Sequence, residues 1–186
     1  MDTEIFSALI PDATQSIREV IATTLSKFGE PALRFAADRG IRLHALGRGE
    51  RYTQASSALA RLGIDVDNWP APPAGLFVVE ERTVYVRSRS AMTVAHEFGH
   101  ALDCALGNGV YRSGIDPDIR QAFNAATQFV TPYAASGIDE YFAEGVRSWV
   151  GCNDATSHWP TATKARLRRV DPALFAIVKL IFEGFD

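Results

Sequence analysis

The chain has 186 residues, enough for one ordinary domain that buries roughly 70% of its unfolded surface and needs no disulfide or metal merely to fold. Its 47% hydrophobic and 22% charged residues match a globular protein and exclude a disordered chain, a collagen-like repeat and a coiled-coil rod. The formal charge of −3, from 19 basic and 22 acidic residues, offers no strong basic field, so nucleic acid is not an expected partner.

Taken in chain order, residues 13–28 predict a helix, with Ile17, Val20, Ile21, Leu25 and Phe28 at three- and four-residue steps and Gly29-Glu30-Pro31 as its stop. Leu33 to Asp38 reads as a short helix ending at Gly40, and residues 41–46 as a strand. Gln54 to Leu62 reads as one helix closed by Gly63, followed by a stiff extended run from Trp69 to Gly75. Leu76 to Val79 and Thr83 to Val86 predict a hairpin with Phe77, Val79, Val84 and Val86 among its inward residues. A strong helix follows from about Ser90 to Leu106, capped by Ser88 or Ser90. Pro117 to Val130 reads as another helix, residues 131–135 as a loop around Pro132, and Ser136-Gly137-Ile138-Asp139 as a capping box opening a helix to about Val150. Two further helical segments, about 161–169 and 172–183, finish the chain.

No stretch approaches the ~20 apolar residues of a membrane helix, because Lys179 interrupts the best candidate, Ala173 to Phe182; no membrane partner is expected. The acidic start Met1-Asp2-Thr3-Glu4 lacks the features of a secretory signal, which predicts a cytoplasmic location or export by a route without a cleaved signal. Cys104 and Cys152 are too few for a disulfide scaffold and read as buried thiols, with no preference for a bridge.

The chemistry concentrates in His96-Glu97-Phe98-Gly99-His100. On a helix, residues four apart stand on one face, so both imidazoles can reach one ion at ~2.0–2.1 Å. Glu97 lies about 100° round the helix, close enough to act on a water beside that ion without crowding it. This is the zinc-peptidase spacing, with the glutamate as general base. Val94, Phe98, Ala101, Leu102 and Ala105 supply a separate apolar set on the same helix, so the histidines are not needed as core filling. A hydrolytic zinc site takes three protein ligands, and a third histidine six residues on is excluded because Leu106 occupies that position. His44 and His158 lie outside any ligand-like pattern. Glu140 and Glu144 share a helical face, with Tyr141, Phe142, Val146 and Trp149 as the buried side. One carboxylate can bind zinc while the other accepts the free ring N–H of a ligand histidine. We assign Glu140 as the ligand and Glu144 as its support, although spacing alone permits the reverse. Asp103 reads equally as an orienting group or an exposed helix-end acid, Cys104 as packed, and Lys164, Arg166, Arg168 and Arg169 as a solvated basic face.

The segment His96-Glu97-Phe98-Gly99-His100-Ala101-Leu102-Asp103, followed by Tyr133 and by Glu140-Tyr141-Phe142-Ala143-Glu144, resembles the catalytic domain of anthrax lethal factor and is similar to the related secreted proline–proline endopeptidases. The likeness covers roughly residues 75–150, finds no match in residues 1–60, and departs from the secreted relatives in the signal sequence. It implies an α+β, zincin-like metallopeptidase domain: a small twisted sheet packed on the active-site helix, with a helical C-terminal half. It also implies one Zn2+ per chain on His96, His100 and Glu140, with Glu97 as base and Glu144 supporting the site. Tyr133, seven residues before Glu140, would assist catalysis. Residues alone leave Tyr133 open between an oxyanion donor and an ordinary loop tyrosine packed beside Pro132; the family spacing favours the first. The expected whole is a single monomeric domain over residues 1–186, its catalytic core at 75–150 and a mostly helical part at 1–60, hydrolysing a peptide or protein substrate. Two competing readings are a cytosolic, repressor-cleaving metallopeptidase and a non-catalytic, toxin-like zinc-binding interaction domain.

Overall fold

The computed structural model describes residues 3–156 and 161–185, so His158 lies outside the described residues. Helix α1 (Thr3–Leu9), which periodicity did not disclose, buries Ile5, Phe6 and Leu9. Helix α2 (Gln15–Leu25) begins at Thr14, whose side chain accepts from Ile17 N, and tightens into a 3-10 turn over Ser26–Phe28. Gly29, at φ 83°, turns the chain into α3 (Glu30–Asp38). Pro31 therefore belongs to the first turn of the next helix, where its missing N–H costs nothing, as well as stopping the previous one.

Strands β1 (Arg42–Ala45), β2 (Gly75–Val78) and β3 (Thr83–Val86) form a sheet in the order β1-β3-β2, with β1 parallel and β2 antiparallel to β3. The crossover from β1 carries α4 (Tyr52–Ala55) and α5 (Ser57–Leu62). These are two helices rather than the single one expected from Gln54. Ser56 is extended, its Oγ accepts from Leu59 N and donates to Glu81 Oε2, and so it starts a new helix instead of continuing the old one. The hairpin is also tighter than expected: Val79 leaves the strand for a 3-10 turn over Val79–Glu81 and is only half-buried. All four residues of β3 are buried because both faces of the sheet are covered. Phe77, Val84 and Val86 join the main core, while Val78 and Tyr85 pack with Leu46, Tyr52, Ala58, Leu59 and Val66 on the other side.

Helix α6 (Ala91–Leu106) is capped by Ser90, whose Oγ accepts from Thr93 N at 3.2 Å, and lies against β2 and β3. A short α7 (Arg112–Ile115), unforeseen, precedes α8 (Pro117–Ala125). Helix α8 ends five residues earlier than expected: Phe129 folds back against Phe123 and Tyr141, and Val130 is buried outside the helix. The loop expected at 131–135 contains a 3-10 turn over Tyr133–Ala135. The expected capping box is absent from α9 (Ile138–Val150), whose N-cap is Gly137; Ser136 Oγ instead donates to Tyr133 O at 2.7 Å. Helices α10 (Lys164–Val170) and α11 (Pro172–Glu183) pack on α9. The basic run is not simply solvated, since Lys164 Nζ sits 3.7 Å above the Trp149 ring and Arg166 Nε donates to Val130 O. Cys104 and Cys152 are both buried and unbridged. Among the described residues, no helix is long and apolar enough to cross a membrane.

Candidate metal centre and active site

The site is made by the crossing of α6 over α9. A Cβ on Gly99 would lie 3.1 Å from Ala143 Cα, so the two helices meet there almost backbone to backbone. His96 and His100 stand three residues before and one after Gly99, and Glu140 and Glu144 stand three before and one after Ala143. One close contact between small residues therefore faces the histidine pair with the glutamate pair.

Within that crossing, His96 Nε2 lies 2.9 Å from Glu140 Oε2 and 3.2 Å from His100 Nε2, and His100 Nε2 lies 3.3 Å from Glu140 Oε2. A tetrahedral ion with ligands at ~2.0–2.1 Å separates them by roughly 3.3 Å, close to two of these spacings and somewhat wider than the third. Although Glu140 Oε2 is buried and close to both rings, it makes no well-aligned hydrogen bond, as expected of an atom aimed at a cation between them. His96, His100 and Glu140 form the group that can hold a metal ion.

Support comes from behind. Because a carboxylate only accepts, His96 Nδ1 must donate to Glu144 Oε1, at 2.9 Å, which turns Nε2 toward the centre. Burial favours the neutral ring, but the carboxylates of Glu140 and Glu144 outweigh it and push the imidazole up to about 10. Glu144 also accepts from Thr131 Oγ1 at 2.5 Å and from Arg147 Nε and Nη2, each at 2.7 Å. Burial opposes its ionisation, but bonds from His96 and Arg147 outweigh that and hold the carboxyl at about 2. Glu140 is likewise pressed toward its neutral form by burial and held ionised by His100 and His96, well below the usual carboxylate range.

Glu97 differs. Burial dominates and pushes its carboxyl up, against the opposing fields of His96 and His100 and a hydrogen bond from the Phe77 backbone. It lines a cleft of about 240 Å³ with His96, Tyr133, Thr93 and the strand-entry residues Pro73 to Gly75. Tyr133 is 43% exposed, its ring 5.4 Å from that of His96, and its hydroxyl donates to Glu140 Oε1 at 3.0 Å. All six residues expected at the site thus come together.

The peripheral expectations fare differently. Asp103 is fully buried, not an exposed helix-end acid, and accepts from Ser113 N and Oγ rather than from a histidine. His44 pairs with Glu50 at 3.3 Å, away from the centre. Thr131, Arg147 and Gly75 were not singled out beforehand. Arg147 had a signal, one turn after Glu144 on the same helix, whereas Thr131 and Gly75 had none before the fold was known.

By sequence, the chain matches no established family model and no curated protein. In three dimensions it is similar to the PRO-PRO endopeptidase PPEP-2 from Paenibacillus alvei, with a TM-score of 0.66 and 20% sequence identity over 95% of this chain and 99% of that one. The fold is the α+β arrangement that the resemblance implied, a small sheet packed on the motif helix with a helical C-terminal half, and it is shared with that endopeptidase.

Proposed function

We propose that this chain, read as one catalytic domain, is a zinc-dependent endopeptidase. The observation that carries the proposal is the convergence of His96 Nε2, His100 Nε2 and Glu140 Oε2 beside a half-buried Glu97 that lines the cleft. On this reading those three residues hold Zn2+, which when bound supplies a Lewis acid that acidifies water toward a pKa of ~7 and polarises a carbonyl. Glu97 takes the proton of the attacking water and delivers it to the leaving amine, a task suited to a carboxyl whose pKa burial raises. Tyr133, already at the mouth of the cleft, donates its hydroxyl hydrogen bond to the developing oxyanion. Glu144 holds His96 in the tautomer the centre needs.

Strand β2 ends the sheet order, and its first residue, Gly75, lines the cleft. An extended peptide lying along that edge would gain backbone hydrogen bonds with little demand on its side chains. The likeness to the lethal factor catalytic domain rests on the motifs alone. The name of the structural neighbour makes Pro-Pro peptides the first substrates to try. The three-membered ligand group favours hydrolysis over a purely structural zinc site, which takes four protein ligands.

The test is cleavage profiling on a peptide library that includes Pro-Pro sequences, with and without chelator, for the wild-type chain and Glu97→Ala. The expected result is chelator-sensitive cleavage by the wild type, and a variant that keeps metal but loses activity. Normal cleavage by Glu97→Ala rejects the mechanism.

A further inference from the structure

Arg147 is among the largest fully buried side chains in the molecule, at 2% exposure, and burying a guanidinium is costly unless it is fully paired. Each of its three nitrogens is paired, and asymmetrically. Nε and Nη2 form a two-toothed bond to both oxygens of Glu144, at 2.7 Å each, while Nη1 donates to Cys152 O at 3.1 Å and Asn153 Oδ1 at 3.2 Å. Glu144 Oε1 is shared between Arg147 and His96 Nδ1, and Oε2 between Arg147 and Thr131 Oγ1. Only Arg147 touches both oxygens, so among these partners it alone sets the plane of the carboxylate. Thr131 pins one oxygen and leaves rotation about it open.

We infer that Arg147 is a positioning residue for the metal centre, acting through Glu144 to fix the tautomer and ring orientation of His96. This rests on the zinc reading above. The planar fork of arginine matches a carboxylate in a way a lysine ammonium does not, so charge alone does not meet the requirement. The same side chain anchors residues 152–153, next to Asp154, whose Oδ1 accepts from Met92 N in the first turn of α6. A tether of that loop is thus the rival explanation for the burial of Arg147, and the experiment has to separate the two.

Zn2+ affinity and the visible absorption of the Co2+-substituted protein are measured for wild type, Arg147→Lys, Glu144→Gln, the double variant and Asn153→Ala. Arg147→Lys is expected to weaken Zn2+ binding about 10- to 100-fold and to alter the Co2+ band. In the Glu144→Gln background it should add less than about 2-fold, because the two residues act as a unit. Asn153→Ala should leave both readouts unchanged. Wild-type affinity and spectrum in Arg147→Lys, even with a lowered melting temperature, would reduce Arg147 to a structural ion pair and overturn the inference. So would full additivity with Glu144→Gln, or an Asn153→Ala loss as large as that of Arg147→Lys. Should Arg147→Lys not fold, Arg147→Gln, which retains a neutral amide donor group, is read by the same criteria. A wild-type chain that holds no Zn2+ rejects the metal reading itself, and this inference with it, a result distinct from any above.

Discussion

Glu140 and Tyr133 are hydrogen-bonded to each other, yet the two residues carry different expectations. Glu140→Ala removes one of three ligand atoms and should lower Zn2+ affinity by orders of magnitude. Tyr133→Phe removes only a donor from a half-exposed ring, so it should leave affinity and stability near wild type while cutting kcat about 10²- to 10³-fold. Equilibrium dialysis against a Zn2+ buffer, alongside steady-state kinetics, checks both; the reverse order would reject the ligand assignment. At this scale the sequence was legible where chemistry repeats with the helix. His96, Glu97 and His100 declare themselves because one turn of helix brings both rings to one point. Glu140 was distinguishable from Glu144 only by resemblance, since both project from one face and only the three-dimensional crossing decides which carboxyl meets the Nε2 atoms and which meets Nδ1. Thr131 was invisible because a threonine before a proline has many uses, and its bond to Glu144 spans a turn that no periodicity describes.

Two element-scale contacts fix the sheet against its helices. Strand β2 passes over α6 at Gly75, where a Cβ would fall 2.5 Å from Glu97 Cγ and 2.9 Å from Thr93 Cγ2. Gly75→Ala should therefore displace Glu97, lowering kcat/KM at least about 10-fold and costing roughly 1–3 kcal/mol of stability, with Zn2+ affinity little changed. Urea unfolding and kinetics on the same preparation check this. The other contact lies at the turn of the hairpin. Glu81 accepts from Ser56, Ser57, Tyr85 and the Ala58 amide, tying the start of α5 to the sheet. Partial burial opposes ionisation, but these bonds prevail and bring its carboxyl from 4.5 down to about 2. Since the folded value lies below the unfolded one, this stabilisation is present above about pH 4.5 and drains away as pH falls toward 2. Glu81→Gln should lose about 1 kcal/mol at pH 7, the modest size reflecting solvent screening, and should flatten the stability profile over that interval. Thermal melts from pH 7 to 2 measure it. Most elements were legible from apolar periodicity and Gly or Pro stops. The misreadings arose where a tertiary partner overrode a local pattern: Glu81 recruiting Ser56 as a cap, and Phe129 leaving α8 to pack on Tyr141.

For the molecule as a whole, the fold class followed from the family resemblance carried by the motifs, but the joining of the N-terminal segment to the rest did not. Ile5, Phe6, Leu9, Ile21 and Leu25 lie in the same core as Phe98 and Phe142: α2 packs on the motif helix and α1 on α3 and β1, so neither forms an appendage. Sequence could not show this, because long-range partners of apolar faces leave no mark in local spacing. Metal removal is the matching global prediction. A ligand that binds only the folded state, at a free concentration 1,000 times its Kd, adds about 4 kcal/mol. For a chain of this size that corresponds to a melting-temperature rise of roughly 8–16 °C, which chelator should abolish in a calorimetric scan. An unchanged melting curve would argue against the centre.

The pairing of Gly99 with Ala143 has one more consequence. The two halves of the centre are born more than forty positions apart, and neither carries a complete ligand set. A ribosome-bound chain that has emerged only as far as α8 thus holds the histidine pair without the carboxylates that face it. The grouping closes only when the later helix docks.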